Sequence, residues 1–507
     1  MLLIVHGDIR TMNPAMPRAE AAVVQGGRFA YVGSEAGART FIGAQAHDTL
    51  DAGGGTVLPG FNDAHMHLVN ALCGARLVDL TGCGSIAAVQ DAFRARLAGH
   101  PGGFLVGRGW NQEQFAERRL LTRADLDAVS PAVPLLATRA CGHIIAVNSA
   151  ALALAGVASE DGILRENEMN PIYALVPDLT IAERLHWLKA GQRTLYEKGI
   201  TSVHSDDMAE DGEAFLTALR GACEDGSIAL RYAAQARRDE LSALRAFFAS
   251  GLHRQGSARF RVASIKLMAD GSLGACTAWL QSPYADAPDT RGISLYGDDE
   301  MTALVAEATA NGLPCAVHAI GDAAMEQTLN AFAKAGGGFR QAVVHAQITT
   351  AAQVARCGAM GVSILAQPIF LRADVPIVRE RAGALADTSY RWRSMLSGGA
   401  RVAFGTDCPV EPFDPLPGLY YAITRRALPG GAAYLPDEAF TLSEALYAYT
   451  AAGAYASGEE GYKGRIAPGM LADFAVLSEK LTEEEPERLL SAKVAHTFID
   501  GQCVFTK

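Results

Sequence analysis

The sequence predicts an α/β protein built on a (β/α)8 barrel. It adds an insertion subdomain and a small composite β-sandwich made from both ends of the chain. Three observations lead there. Short apolar runs such as Val262–Lys266, Pro314–His318, Ala342–His345, Ile364–Gln367 and Val402–Asp407 alternate with Ala- and Leu-rich stretches of helical character. Near-continuous apolar strands separated by helices read as a parallel sheet buried on both faces, and this many repeats fit a closed barrel. The two ends share another texture, with short strands broken by glycine turns, and the stretch from about 81 to 190 is too long for one crossover.

Taken in order, residues 1–55 read as strands (Leu2–Val5, Ala21–Gln25, Phe29–Val32) interrupted at Gly26-Gly27 and Gly33. Residues 460–507 repeat that pattern, with Asp473–Leu477 and Val494–Ile499 as strands, and are expected to complete the same sandwich. The barrel then occupies 56–459, and the insertion sits over its mouth, where loops build substrate pockets.

Composition bounds the function. At 507 residues, 49% hydrophobic and 20% charged, the chain is long enough for one large domain and a smaller one. A net charge of -11 without a Lys/Arg run argues against nucleic-acid binding. Nine scattered cysteines without a CxxC read as reduced thiols, and the N-terminus lacks the basic region of a signal peptide. No segment reaches the roughly 20 apolar residues of a membrane span. The expectation is a cytoplasmic protein acting on a small molecule, with no nucleic-acid or membrane partner, and with homo-oligomerisation left open.

The chemistry centres on residues 57–67. In an extended segment, side chains at i and i+2 share a face, so His65 and His67 present two imidazoles to one point. Alone, such a pair is weak evidence. Later strands, however, end at Lys266, His318, His345 and Asp407, and strand C-termini of a barrel converge on one face. Four histidines and a carboxylate suit zinc or a similar divalent ion. Lys266 reads two ways. A buried lysine that loses its proton can add carbon dioxide to form a carbamate, an anionic bridging ligand. Alternatively it pairs with Asp270.

Nine stretches carry a family resemblance: LPGFNDAHMHL (58–68), GRGWNQEQF (107–115), CGHIIAVNSAAL (141–152), GITSVHSDD (199–207), IKLMADGSLGACTAWL (265–280), AVHAIGDAA (316–324), VVHAQ (343–347), FGTDCPVEPFDPL (404–416) and KGRIAPGMLADFAVL (463–477). Together they resemble the metal-dependent amidohydrolase superfamily, in the branch of YtcJ-like proteins and N-substituted formamide deformylases. The resemblance implies two zinc ions per chain. His65 and His67 hold one, His318 and His345 the other, carbamylated Lys266 bridges them, and Asp407 binds the first. A metal-bound hydroxide would attack the substrate carbonyl, with Asp407 moving the proton to the leaving nitrogen.

By the same resemblance, Trp110, Asn111 and His143 look like pocket residues. His143 is a candidate donor to the oxyanion. Asp270, Gly271 and Ser272 look substrate-binding, and His204 either lines the pocket or backs it. His6, His47, His100, His186, His253 and His496 lie off the motifs. The chain departs from relatives at Ala275-Cys276-Thr277, where Ser- or Ala-Arg-Thr is common, at Val344, often acidic, and at Cys141, often aspartate. The implied activity is hydrolysis of an amide or N-acyl C–N bond. The alternatives are a deaminase or esterase on the same barrel, or a non-catalytic metal-binding regulator.

Overall fold

The computed structural model describes residues 1–100, 102–177, 179–207, 212–336 and 340–507. Eight parallel strands follow one another in chain order: β1 (Phe61–Met66), β2 (Ile200–Ser205), β3 (Arg231–Arg237), β4 (Phe260–Met268), β5 (Cys315–Ala319), β6 (Ala342–His345), β7 (Ser363–Ala366) and β8 (Arg401–Phe404). Beyond the last ladder, the backbone of Asp407 donates to His65 O at 2.8 Å and that of His67 to Cys408 O at 2.8 Å, so the ring closes between β8 and β1. Ala64, Ala316, Val344, Leu365 and Ala403 come from five strands and pack in one cluster, which only the bore of a barrel allows. The apolar strand runs are explained by burial on both sides, the inner side by this cluster and the outer side by helices.

Helix boundaries follow local chemistry. Thr350 and Gln353 form a capping box at the start of Ala351–Met360, and Gly361 ends that helix in the left-handed conformation. The helix Ile181–Tyr196 begins within the expected insertion interval, yet Leu188, Leu195 and Tyr196 pack into the main barrel core. Its apolar face needs the barrel strands, so it behaves as a barrel helix.

The insertion carries its own five-stranded sheet, ordered Ile163–Arg165, Ile144–Val147, Leu135–Arg139, Leu105–Trp110 and Val78–Asp79. Period-two alternation splits its side chains between two cores. Leu135, Ala137, Ile144 and Ala146 join one, and Leu136, Ile145 and Val147 the other. The strands therefore read as continuous apolar runs.

Two further sheets pack on each other away from the barrel mouth. One contains Leu2–Val5, Ala21–Gln25, Arg28–Gly33 and Asp48–Asp51. The other joins both ends of the chain, with Phe474–Leu477 antiparallel to Thr56–Pro59. Their shared core holds Ile4, Val24 and Phe29 against Val57, Phe474 and Phe498. Arg231 of β3 is buried against this unit, paired with Asp473 and with Asp500 at 2.6 Å. Among the described residues, no helix is long and apolar enough to cross a membrane.

Candidate metal centre

The C-terminal ends of the strands bring the expected residues together. His65 Nε2 and His67 Nε2 lie 3.2 and 3.1 Å from the same oxygen, Asp407 Oδ1. His318 and His345 stack edge to face at 4.5 Å between rings, and His65 is 5.9 Å from His345. Lys266, buried near the end of β4, acts by its charge against protonation of all four imidazoles. Two residues reach the site through unusual backbone: His345 has φ 75° and Asp407 φ 58°. Such left-handed values cost energy in non-glycine residues and cluster at functional sites. Here they follow strand ends, and hydrogen bonds to Trp392 Nε1 (2.8 Å) and His65 O (2.8 Å) hold them.

The outer nitrogen of every imidazole is spoken for. His67 Nδ1 faces Asp206 O at 3.1 Å and His318 Nε2 faces Gly271 O at 2.9 Å. Carbonyls only accept, so both nitrogens carry protons. His65 Nδ1 meets Gln235 Oε1 at 2.6 Å, and His345 Nδ1 meets Gln367 Oε1 at 2.8 Å. The amide orientations are fixed because each Nε2 donates to a backbone carbonyl, Ala64 O and Leu365 O. In the neutral rings, the other nitrogens (His65, His67 and His345 Nε2, and His318 Nδ1) therefore offer lone pairs. His345 Nε2 and His318 Nδ1 face each other at 3.0 Å, two acceptors with no proton between them. His65 Nε2 and Asp407 Oδ1 are buried without a hydrogen-bond partner. Inward lone pairs opposed at this range fit cations between them. His65, His67 and Asp407 form a group whose ligand atoms all lie within 4.8 Å of one another.

Electrostatics agree. Burial pushes His345 down to about 3 and His318 well below the usual range, so both imidazoles are neutral. Burial alone would raise Asp407, but the adjoining His65 and His67 imidazoles outweigh it and bring its carboxyl well below the ordinary value.

Lys266 is almost fully buried. Its Nζ is 3.7 Å from Asp206 Oδ2 and 3.2 Å from Met268 Sδ. The acidic neighbour of Lys266 is thus Asp206, and Asp270 is not its partner. That carboxylate instead accepts from the backbones of Trp279 (2.9 Å), Ile320 (3.0 Å) and Gly321 (2.8 Å), tying two loops together. Burial raises it to about 7. Gly271 is needed for space, since a Cβ there would sit 2.6 Å from Glu166 Oε1. Ser272 is buried with its hydroxyl unpartnered.

His143 hangs over the site from the insertion, 5.7 Å ring to ring from His318. Both Glu166 oxygens lie 3.0 Å from its Nδ1. Burial lowers its basicity, but Glu166 outweighs that and the net shift is upward. Trp110 is not brought to the centre. It is fully buried in the insertion core, stacked on Phe115, with its indole N–H on Ala137 O at 2.9 Å. Asn111 accepts from Arg139 Nη2 at 3.1 Å. His204 is buried in the barrel with Nε2 unpartnered, pushed down to about 3 by burial and by Lys463.

Five residues of this architecture escape a reading of ligands alone: Asp206, Gln235, Gln367, Glu166 and Asp63. Asp63 binds Thr406 Oγ1 at 2.6 Å and locks β1 to the loop that carries Asp407. Gln367 and Asp206 share one signal, a polar residue just past a strand end, whereas Gln235 lies inside its strand, two residues before the end.

The amidohydrolase family model matches residues 48–505. The chain belongs to the amidohydrolase family. A Bacillus subtilis protein named as amidohydrolase YtcJ is 32% identical over the full length of both chains. The N-substituted formamide deformylase of Arthrobacter pascens is 27% identical, covering 99% of this chain and 97% of its own. Among solved structures, an uncharacterised metal-dependent hydrolase from Pyrococcus furiosus is 28% identical with a TM-score of 0.75, covering 93% of this chain and 98% of its own. With its clustered ligand atoms, this amidohydrolase is a metal-dependent hydrolase.

Proposed function

We propose that this amidohydrolase cleaves a C–N bond, an amide or N-acyl linkage of a small molecule, with two divalent ions. The observation that carries the reading is the set of four imidazoles with fixed outer nitrogens and opposed inner lone pairs. His65, His67 and Asp407 would hold one ion, and His318 and His345 the other. Zinc suits this donor set. Lys266, as a carbamate, would add an anionic oxygen ligand for these ions. Its burial supports that role, since burial works against the ammonium and a neutral amine is the form that adds carbon dioxide. Bound cations supply Lewis acidity, favouring hydroxide over water near neutral pH and polarising an acyl carbonyl.

The chain's own groups do the rest. Asp407 accepts the proton of the attacking water and returns it to the leaving nitrogen. His143, held at Nδ1 by Glu166, presents its other N–H to the carbonyl oxygen as charge develops there. The insertion covers the barrel mouth and excludes bulk water. The shared length with the formamide deformylase makes N-substituted formamides a first panel, followed by longer N-acyl amines.

The test measures amine release from that panel by zinc-loaded protein, before and after chelation. Metal-dependent release from at least one amide is expected. Turnover confined to esters or to ring amino groups would overturn the C–N amide reading.

A further inference from the structure

Arg108 of the insertion has no counter-ion among the described residues. Arg108 sits near the end of Leu105–Trp110 in the insertion, half-buried. Its Nε is buried without any partner. Its one hydrogen bond runs from Nη2 to Ala140 O at 3.5 Å, the limit of such a contact. Among the described residues, no carboxylate lies within ion-pair distance of it, whereas Arg119, Arg231 and Arg381 all have one. Neighbouring Arg139 is satisfied by neutral acceptors, Gln112 Oε1 at 2.8 Å and Asn111 Oδ1 at 3.1 Å.

One contact places Arg108 beside the candidate metal centre. Its terminal nitrogens are 3.6 and 3.8 Å from where a Cβ of Gly142 would lie, in the loop that delivers His143. Arg108 thus lies against the loop that carries His143, whose ring is 5.7 Å from that of His318. A guanidinium left with unused N–H groups in such a place is costly unless an anion completes it.

We infer that Arg108 is a specificity residue that binds a carboxylate of the substrate, so that the preferred amides carry a negative charge away from the scissile bond. The inference rests on the amide-hydrolase reading above. A carboxylate is the matching group because the guanidinium fork meets its two oxygens with two parallel hydrogen bonds, and one free positive charge balances one negative charge. A phosphate dianion would call for further cations.

The experiment compares p-nitroanilides of succinic, glutaric and adipic acids with the ω-hydroxyacyl anilides of equal length. Zinc-loaded wild type, Arg108→Gln and Arg108→Lys are assayed for nitroaniline release, and acid binding is followed by calorimetry. For at least one chain length, wild type should favour the acid over the alcohol by ten-fold or more in kcat/KM or in affinity. Arg108→Gln should lower that ratio at least ten-fold, chiefly through KM, and Arg108→Lys should restore part of it. Discrimination in binding without any turnover would sink the amide reading and leave the carboxylate site standing. No acid-over-alcohol preference in wild type, or equal losses on both series in Arg108→Gln, would overturn the inference.

Discussion

Replacing Gln367 by leucine isolates the claim that outer hydrogen bonds aim the histidines. Gln367 is fully buried, accepts from His345 Nδ1 at 2.8 Å and donates to Leu365 O at 2.8 Å. Leucine fills similar space but cannot accept. The His345 Nδ1–H is then a buried unpaired donor, a cost of about 1–3 kcal/mol. The ring escapes that cost by moving its proton to Nε2, which withdraws the lone pair from the centre. Loss of an outer partner typically weakens metal affinity about 10–100-fold, equivalent to about 1.4–2.8 kcal/mol. Both routes give the same size. Competition with a chromophoric chelator measures the affinity of the ion held by His318 and His345, and Gln367→Glu, which keeps an acceptor, serves as control. Unchanged affinity in folded Gln367→Leu would refute the argument from tautomers.

Three further outcomes follow from the same geometry. Asp407→Asn keeps an oxygen near His65 and His67 but loses the proton acceptor, so kcat should fall at least about 100-fold, and near-normal turnover would exclude that role. Lys266→Ala should lower metal content, with short carboxylic acids restoring part of the activity by filling the gap; full metal and activity without added acid would exclude the bridge. Asp473→Asn leaves Arg231 buried with a weakened partner, and removal of one member of such a pair costs about 3–5 kcal/mol. Urea denaturation should show a lowered midpoint, and an unchanged midpoint would mean that Asp500 alone satisfies the arginine.

The barrel and the clustering of the candidate residues were legible because both obey simple periodicity. Apolar strands buried on both faces read as unbroken runs, and side chains able to hold a metal stood at or near their ends. His345 shows the limit of that logic. It reaches the site through a left-handed backbone, which strand alternation does not encode. Trp110 shows another. Its motif marks a strand of the insertion, but the indole turns into that sheet's core because Phe115 and Ala137 complete its packing and hydrogen bonding. Asp270 looked like a partner for Lys266 by proximity in sequence, whereas three backbone N–H groups claim it once the loops fold. The outer partners Gln235 and Gln367 were hidden for a physical reason. Their function depends on which neighbour their amides face, and that is fixed by tertiary contacts with Ala64 and Leu365.

The most direct test of the two-ion centre is metal content per chain, by elemental analysis of protein purified without chelator. About two divalent ions are expected, held by opposed lone pairs that otherwise repel. No bound metal, and none taken up on adding zinc or manganese, would contradict the account at its base.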